Sequence, residues 1–273
     1  MISRQKGFMR SRPGIEVASQ TDVGCRRENN EDALSYWEPE ADSDFQRKGR
    51  LAVIADGMGG YEGGQEASRL AIETVLDIYG HDPASDPGAA LVKGFLAAHD
   101  RIREYAEVHP ELQGMGTTCT ALALQGDKLF VVHIGDSRLY LLRKGTIQRL
   151  THDHSYVGRL VESGILRSED AESHPQRHIL TAALGAGSEL SPDAFAEPMQ
   201  VEAGDSLVLC TDGLWSQVSE RELLAVISRN DPAAACKELV RMARDRGGPD
   251  NITLQILRVG ENGSGASVPG IPR

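Results

Sequence analysis

Residues 51–57 have the sequence LAVIADG, an apolar run that ends in an aspartate followed by a glycine. Five consecutive apolar residues bounded by Asp-Gly predict a short β-strand. The same pattern recurs in residues 131–136 (VVHIGD) and in residues 207–213 (LVLCTDG). Several apolar strands of this chain therefore each deliver a carboxylate at their end.

Other short segments are apolar or β-branched and are bounded by Gly or Asp, which predicts further strands. These segments are residues 33–37, 118–124, 129–134, 138–142, 207–210 and 252–257. Residues 128–150 are predicted to form a three-strand meander, with turns at Gly135-Asp136 and at Lys144-Gly145. Tight turns between consecutive strands imply antiparallel pairing.

Helices are predicted between these groups of strands. Residues 66–79 and 87–108 carry apolar side chains at helical spacing, and Pro87 suits a first helical turn. The capping-box sequence Ser219-Glu220-Arg221-Glu222 opens a third helix, and Asp231-Pro232 opens a fourth. Helices in pairs and strands in runs predict an α+β layered fold rather than an alternating nucleotide-binding sheet.

The composition excludes several classes of function. The 273 residues carry a formal charge of −11, which argues against a nucleic-acid partner and against binding to anionic membranes. The chain lacks a run of 18 apolar residues and a secretory signal, so a cytoplasmic protein without a membrane span is expected. We expect one domain over residues 14–258, between flexible segments at 1–13 and 259–273.

Motifs of several enzyme classes are missing from the sequence. There is no phosphate-binding G-x-x-x-x-G-K-[ST] loop, no G-x-S-x-G elbow and no H-E-x-x-H zinc motif. The glycines that follow Asp56 miss the dinucleotide fingerprint, because Glu62 stands where its third glycine belongs. Nucleotide kinases, serine hydrolases and zinc proteases therefore have no support from motifs.

The strand-end aspartates have two interpretations. Any single Asp-Gly is more often a hairpin turn than a ligand. Their repetition favours convergence, and Asp250-Asn251 before residues 252–257 and Glu31-Asp32 before residues 33–37 extend the pattern. Clustered carboxylates repel one another, and a divalent cation relieves that repulsion. Oxygen ligands favour Mg²⁺, Mn²⁺ or Ca²⁺ over zinc, and Gly57 offers its carbonyl at close range.

Three neighbouring features are more ambiguous. Glu31 and Asp32 are adjacent, so a regular strand would point them to opposite faces, and we expect one of them to act through a water. Arg27 suits bidentate capture of a phosphate, but it could equally form a surface salt bridge with Glu28 or Glu31. The stretch His152-Asp153-His154 is expected to be structural, and His99 is expected to be a bystander on an exposed helix.

In chain order, the motifs resemble those of the metal-dependent protein phosphatases (the PPM family, type 2C), bacterial branch. The first matching segments are TDVGxxRxxNED at 21–32, DGMGG at 56–60, MGTT at 115–118 and IGDSR at 134–138. The later ones are LTHDHS at 150–155, HPQR at 174–177, TDGLW at 211–215 and GPDNIT at 248–253. The resemblance covers nearly the whole predicted domain.

The resemblance implies a four-layer α-β-β-α sandwich of two antiparallel sheets flanked by helix pairs. It also implies a centre of two Mn²⁺ or Mg²⁺ ions, with a weaker third ion. The implied roles are a bridging ligand for both metals (Asp56), ligands of the first metal (Asp212, Asp250), the carbonyl ligand of the second (Gly57), ligands of that metal or its waters (Glu31, Asp32), a ligand of the third metal together with Asp212 (Asp136), the phosphate-binding residue (Arg27) and a residue that orients Asp250 or a water (Asn251). Residues 156–184 match the variable flap.

The function implied by the resemblance is hydrolysis of phosphoserine and phosphothreonine in proteins, with a metal-bridged water as the nucleophile. Met58 stands where eukaryotic members often carry a histidine that is proposed as the general acid, so a metal-bound water is expected to take that role. The alternatives are a phosphatase dedicated to an anti-sigma-factor antagonist and an inactive phosphoprotein-binding relative. A bacterial signalling enzyme that opposes a eukaryotic-type Ser/Thr kinase, and acts as a monomer, is expected.

Overall fold

The computed structural model describes residues 12–59, 62–83, 86–171 and 174–260, which form two antiparallel β-sheets with helices on both outer faces. Most of the two predicted flexible segments, 1–13 and 259–273, lies outside the described residues. Val259 is the last residue of a strand, one position past the predicted end of the domain. Within the described part of the chain, no helix is both long and apolar enough to cross a membrane.

The first sheet has five strands. In spatial order they are β1 (Ile15–Asp22), β12 (Ile252–Val259), β11 (Ser206–Cys210), β7 (Arg138–Arg143) and β8 (Thr146–Arg149). The second sheet has the order β10 (Met199–Gln200), β6 (Lys128–Ile134), β5 (Cys119–Gln125), β3 (Arg50–Met58) and β2 (Asp32–Trp37). Two short strands complete it: β4 (Gly116–Thr117) pairs with β3, and β9 (Asp193–Ala194) pairs with β6.

Long helices cover the sheets, and short helices lie in the connections. The long helices are α2 (Gly63–His81) and α3 (Pro87–Val108) beside the second sheet, and α7 (Glu220–Arg229) and α8 (Pro232–Asp245) beside the first. The short helices are α1 (Asp42–Lys48), α4 (Tyr156–Glu162), α5 (Ser168–Ala171) and α6 (Asp212–Trp215), and a 3₁₀ turn spans Pro110–Leu112.

Three apolar cores separate the four layers. Strand β3 shows why its sequence is apolar throughout, because Leu51 and Val53 pack against α2 and α3 while Ala52 and Ile54 face the other sheet. A strand buried on both faces cannot alternate apolar and polar residues. The third core lies between the first sheet and the pair α7 and α8. The predicted α-β-β-α order is confirmed.

The predicted three-strand meander is wrong at its first turn. Strands β6 and β7 belong to different sheets, so the turn that begins at Gly135 carries the chain across the sandwich. Both strands bury one face in the core between the sheets. That burial is possible whether the two strands pair in a hairpin or lie in different sheets. The second turn is a hairpin as predicted, since Lys144 and Gly145 both have positive φ and β7 pairs with β8.

The helix predictions are largely confirmed. Helix α3 has the predicted bounds, and Asp86 caps it by accepting the backbone N–H of Gly88. In the capping box of α7, Glu222 accepts the backbone N–H of Ser219. The sequence did not indicate β1 or α1, because neither carries a run of apolar residues.

Candidate active site

Strand pairing sets two carboxylates side by side. Asp32, the first residue of β2, lies directly opposite Asp56 in the antiparallel register with β3. The backbone of Asp56 is fixed from the neighbouring strands, since its N–H donates to Thr118 Oγ1 at 2.9 Å. Its carbonyl accepts from Thr117 Oγ1 at 2.9 Å. Both main-chain groups of Asp56 are thus satisfied by protein partners.

Three further carboxylates come from connections at the same end of the sandwich. Asp136 follows β6, Asp212 begins α6 directly after β11, and Asp250 precedes β12. Burial raises the pKa of Asp56 well above its ordinary value, and the nearby charges of the other four aspartates raise it further. Asp56 and four of the other five predicted carboxylates therefore lie close enough to affect one another electrostatically.

Burial and mutual repulsion also act on two neighbours of Asp56. Burial raises the pKa of Asp32 to about 7, with additional contributions from Asp212 and Asp250. Burial raises the pKa of Asp136 well above its ordinary value, and Asp212 is the largest charge acting on it. A set of carboxylates that resists ionisation at neutral pH needs either protons or cations to balance it.

The residues fit divalent cations by their chemistry. Asp32 Oδ2 accepts from Thr211 Oγ1 at 2.9 Å, whereas its buried Oδ1 has no hydrogen-bond partner among the described residues. All the donor atoms are oxygens, which Mg²⁺ and Mn²⁺ prefer. Among the described residues, no three Asp, Glu, His or Cys side chains converge as a ready-made metal site.

Gly57 makes the close packing at this end of β3 possible. Its N–H donates to the carbonyl of Glu31 at 3.2 Å. A Cβ added at Gly57 would lie 2.0 Å from the carbonyl oxygen of Gly64 and 2.7 Å from that of Glu31. Any side chain here would push β3 away from the start of α2.

The side chain of Glu31 lies against the start of α2. Glu31 precedes the regular strand, and its Oε2 points to Gly64 at the start of α2, where a Cβ would come within 2.5 Å. Burial raises the pKa of its carboxyl, which Arg27 opposes and Asp250 reinforces. Glu31 and Asp32 thus have different neighbours, Gly64 for the first and Thr211 for the second.

Arg27 forms an ion pair with a predicted metal ligand. Its Nη2 donates to Asp250 Oδ2 at 2.7 Å, so its ion-pair partner is neither Glu28 nor Glu31. The guanidinium side chain remains 51% exposed, which leaves donors free to face solvent. Arg27 therefore lies at the open edge of the carboxylate group.

The side chain of Asn251 holds the loop that carries Arg27 and Glu31. Its Nδ2 donates to the carbonyls of Val23 and Asn29, and its Oδ1 accepts the N–H of Glu31 at 2.8 Å. The backbone N–H of Asn251 donates to Asp250 Oδ1 at 2.8 Å. Asn251 therefore touches Asp250 through its backbone, while its side chain anchors the loop.

Several supporting residues were not identified from the sequence. Thr211 and Thr118 fix Asp32 and Asp56, and His178 of the predicted flap places Nδ1 at 3.7 Å from Asp212 Oδ2. Both threonines lie in matched motifs, MGTT at 115–118 and TDGLW at 211–215, but the sequence assigned no role to either hydroxyl.

The histidines have structural partners. His154 Nδ1 accepts the N–H of Gly135 at 3.1 Å, while Asp153 forms two hydrogen bonds with Arg138. His99 is not on an exposed face, contrary to expectation: it is 3% exposed, and its Nδ1 accepts the N–H of Gly185 at 3.1 Å. The helical period identifies the apolar residues of α3, but it does not show that the loop containing Gly185 covers His99.

Comparison with known proteins identifies similar sequences over most of the chain. The family model described as protein phosphatase 2C matches residues 26–253. The serine/threonine protein phosphatase PstP of Mycobacterium tuberculosis is 36% identical over 255 residues, which cover 93% of this chain and 47% of PstP. The chain thus spans about half the length of that relative.

One further relative and one solved domain structure match over nearly their whole length. The protein phosphatase PhpP of Streptococcus pneumoniae is 34% identical over 263 residues, covering 90% of this chain and 98% of PhpP. The solved structure of the PstP catalytic domain in complex with two manganese ions has a TM-score of 0.78 at 34% identity. That match covers 90% of this chain and 99% of the PstP domain.

Proposed function

The chain belongs to the protein phosphatase 2C family, and from that premise we propose that it hydrolyses phosphoserine and phosphothreonine in proteins with the help of divalent cations. The observation that carries the proposal is the group of five aspartates with Arg27 at its open edge. Relatives named as serine/threonine phosphatases support the substrate class. We assign the catalytic domain to residues 14–258.

Two Mn²⁺ or Mg²⁺ ions are the proposed cofactors, with a weaker third site. The unpaired Oδ1 of Asp32 and the raised pKa values around Asp56 support cations here, as do the two manganese ions of the PstP domain. The proposed ligands are Asp56 for both ions, Asp212 and Asp250 for the first, Gly57, Glu31 and Asp32 for the second or its waters, and Asp136 with Asp212 for the third. When bound, the cations supply an activated water and positive charge for the phosphoryl oxygens.

Arg27 is the proposed phosphate-binding residue. A carboxylate offers about four lone-pair sites, so Asp250 can keep its bond to Arg27 while it binds a cation. The remaining guanidinium N–H groups can then donate to a phosphoryl oxygen, and Asp250 orients them. Met58 has no proton to donate, so no proton transfer is assigned to that position.

The proposed metal dependence is tested by phosphate release from a phosphothreonine peptide with Mn²⁺ or with EDTA. We expect turnover only with the cation and a loss of at least about a hundredfold for Asp212→Asn. Asp127→Asn, in the exposed β5–β6 turn, is the matched control. Turnover in EDTA, or an unimpaired Asp212→Asn enzyme, would contradict the proposed mechanism.

The cellular role is also a proposal. We place the protein in the cytoplasm as a monomer that reverses phosphorylation by a eukaryotic-type Ser/Thr kinase. Support comes from relatives named as bacterial serine/threonine phosphatases. Phosphoproteomics of a deletion strain is the test, with serine and threonine phosphosites expected to rise and to fall again on complementation. An unchanged set of phosphosites would contradict the role.

A further inference from the structure

A cavity of about 240 Å³ lies beside the aspartate group. One wall is formed by Met58 and Ile134, at the ends of β3 and β6. The opposite wall is formed by residues of the segment 180–191. Met58 directly follows Gly57, and Ile134 lies two positions before Asp136, so the cavity adjoins the proposed metal ligands.

The segment 180–191 is anchored at Leu184 and Gly185. Leu184 exchanges two backbone hydrogen bonds with Thr117, at 2.9 and 3.1 Å. Gly185 donates to the buried His99, and a Cβ at Gly185 would lie 2.4 Å from Ile102 Cγ2. Thr117 in turn bonds the carbonyl of Asp56. The cavity is therefore a preformed feature connected directly to the site, and a preformed pocket costs a ligand little ordering.

The lining has an aliphatic part next to the polar residues Thr181, Glu189 and Ser191. Leu180 and Leu190 join Met58 and Ile134, and several alanines keep the opening clear. Met58 is flexible and polarisable, so it can adapt to different aliphatic shapes. Among the described lining residues, Glu189 is the one with an ionisable side chain, and its charge disfavours an acidic occupant.

The size of the cavity points to a side chain rather than to a small-molecule cofactor. Pockets for drug-sized ligands span about 300–1,000 Å³. A cavity of about 240 Å³ accommodates one leucine-sized side chain with part of its backbone. Because the cavity adjoins the proposed metal ligands, its expected occupant is a residue close in sequence to the phosphorylated one.

We propose that this cavity binds an aliphatic side chain next to the phosphorylated residue of the substrate, and so sets sequence preference. The inference rests on the proposed phosphatase function and deepens it. It predicts that phosphopeptides with leucine at one neighbouring position are better substrates than those with serine or aspartate there. Burial of the leucine side chain is worth about tenfold in kcat/KM.

The test uses phosphothreonine peptides that carry leucine, serine or aspartate at the position before or after the phosphothreonine. Each is compared with p-nitrophenyl phosphate, which has no neighbouring residue, in the presence of Mn²⁺. Ala186→Leu, which fills the cavity, is expected to abolish the preference for leucine. Ala203→Leu, on an exposed turn outside the cavity, is the matched control and should retain it. Leu190→Ala provides a second test and should weaken the preference.

Two outcomes separate this inference from the function on which it rests. Equal kcat/KM for all peptides in the wild-type enzyme, with normal hydrolysis of p-nitrophenyl phosphate, would overturn the cavity assignment alone. A preference for leucine that survives in both Ala186→Leu and Leu190→Ala would do the same. Failure of the wild-type protein on every peptide and on p-nitrophenyl phosphate would overturn the phosphatase proposal itself.

Discussion

Asp32 and Asp56 lie directly opposite each other on neighbouring antiparallel strands, and both have a raised pKa. Like charges in opposed positions of a sheet destabilise it. Selection for function rather than for stability explains such a pair, since active sites retain arrangements that cost free energy. The close approach of Asp32 and Asp56 therefore lowers the stability of the metal-free fold. The size of this effect depends on pH and on bound cations.

The first prediction concerns the stability of the metal-free protein. Burial raises the pKa of Asp32 to about 7 from an ordinary value of 3.8, so between these pH values the folded state holds a proton that the unfolded state has lost. Stability then falls as pH rises through this window, because the unfolded state binds fewer protons. In EDTA, the free energy of unfolding measured with urea is expected to be lower at pH 8 than at pH 5.5.

Mn²⁺ and a variant provide the controls for this prediction. The cation should raise Tm more at pH 8 than at pH 5.5, because protons compete with it for the same oxygens. Asp32→Asn should flatten the pH dependence in EDTA, whereas Asp127→Asn should not. Identical pH profiles for wild type and Asp32→Asn would count against the raised pKa.

The second prediction concerns Arg27. If its free N–H groups bind the phosphoryl oxygens, Arg27→Ala should raise KM by about ten- to a hundredfold, the worth of a hydrogen bond between charged groups. The loss in kcat should be smaller, since ground-state binding is removed together with transition-state binding. Steady-state kinetics with a phosphothreonine peptide measures both, and Arg26→Ala is the neighbouring control. An unchanged KM would show that Arg27 only forms a structural ion pair with Asp250.

The third prediction concerns the anchor of the Arg27 loop. Asn251 is 4% exposed, and its side chain makes three hydrogen bonds to the backbone of residues 23–31. Asn251→Ala leaves those groups unpaired and should lower the free energy of unfolding by about 2–4 kcal/mol. Asn230→Ala removes a single bond, to the carbonyl of Val226, and should cost about 1 kcal/mol. Equal losses in urea denaturation would contradict the anchoring role.

Sequence patterns predicted most of the fold because its strands and helices are locally consistent. The apolar run at residues 51–55 identified β3, and the helical period identified α3 with its bounds. The crossing at Gly135 was not predictable, since a tight turn looks the same in a hairpin and between two sheets. Strand β1 was missed because it has no apolar run and its partner β12 lies far away in the chain.

The site residues, like the elements of the fold, were predictable only where the sequence signal is local. The repeated strand-end pattern indicated which aspartates would meet, because strand ends are local features. The partners of those aspartates depend on contacts between distant parts of the chain. Thr211 bonds Asp32 across 179 positions, and Asn251 bonds Glu31 across 220. Such contacts have no local signal, so the roles of Thr211 and Asn251 required the structure.

The last prediction concerns a buried histidine outside the aspartate group. His133 Nε2 lies 3.0 Å from the carbonyl of His152, so this nitrogen donates, and Nδ1 accepts from Thr120 Oγ1 at 2.8 Å. The bond accepted at Nδ1 requires the neutral ring, whereas Nε2 can donate in either protonation state. Burial lowers the pKa of His133 to about 4, and the neighbouring His154 lowers it further, while Asp153 and Asp193 oppose the shift.

Because the unfolded chain takes up this proton near pH 6.5, stability is lost as pH falls from about 6.5 to about 4. The loss attributable to His133 approaches about 3 kcal/mol at the acid end. His133→Gln cannot be protonated, so its free energy of unfolding should fall less steeply over this range than that of the wild type. His81→Gln is the control, because it also removes one histidine, but that histidine is exposed at the end of α2. Parallel urea-denaturation curves for wild type and His133→Gln from pH 7 to pH 4.5 would show that the ring does not titrate with unfolding.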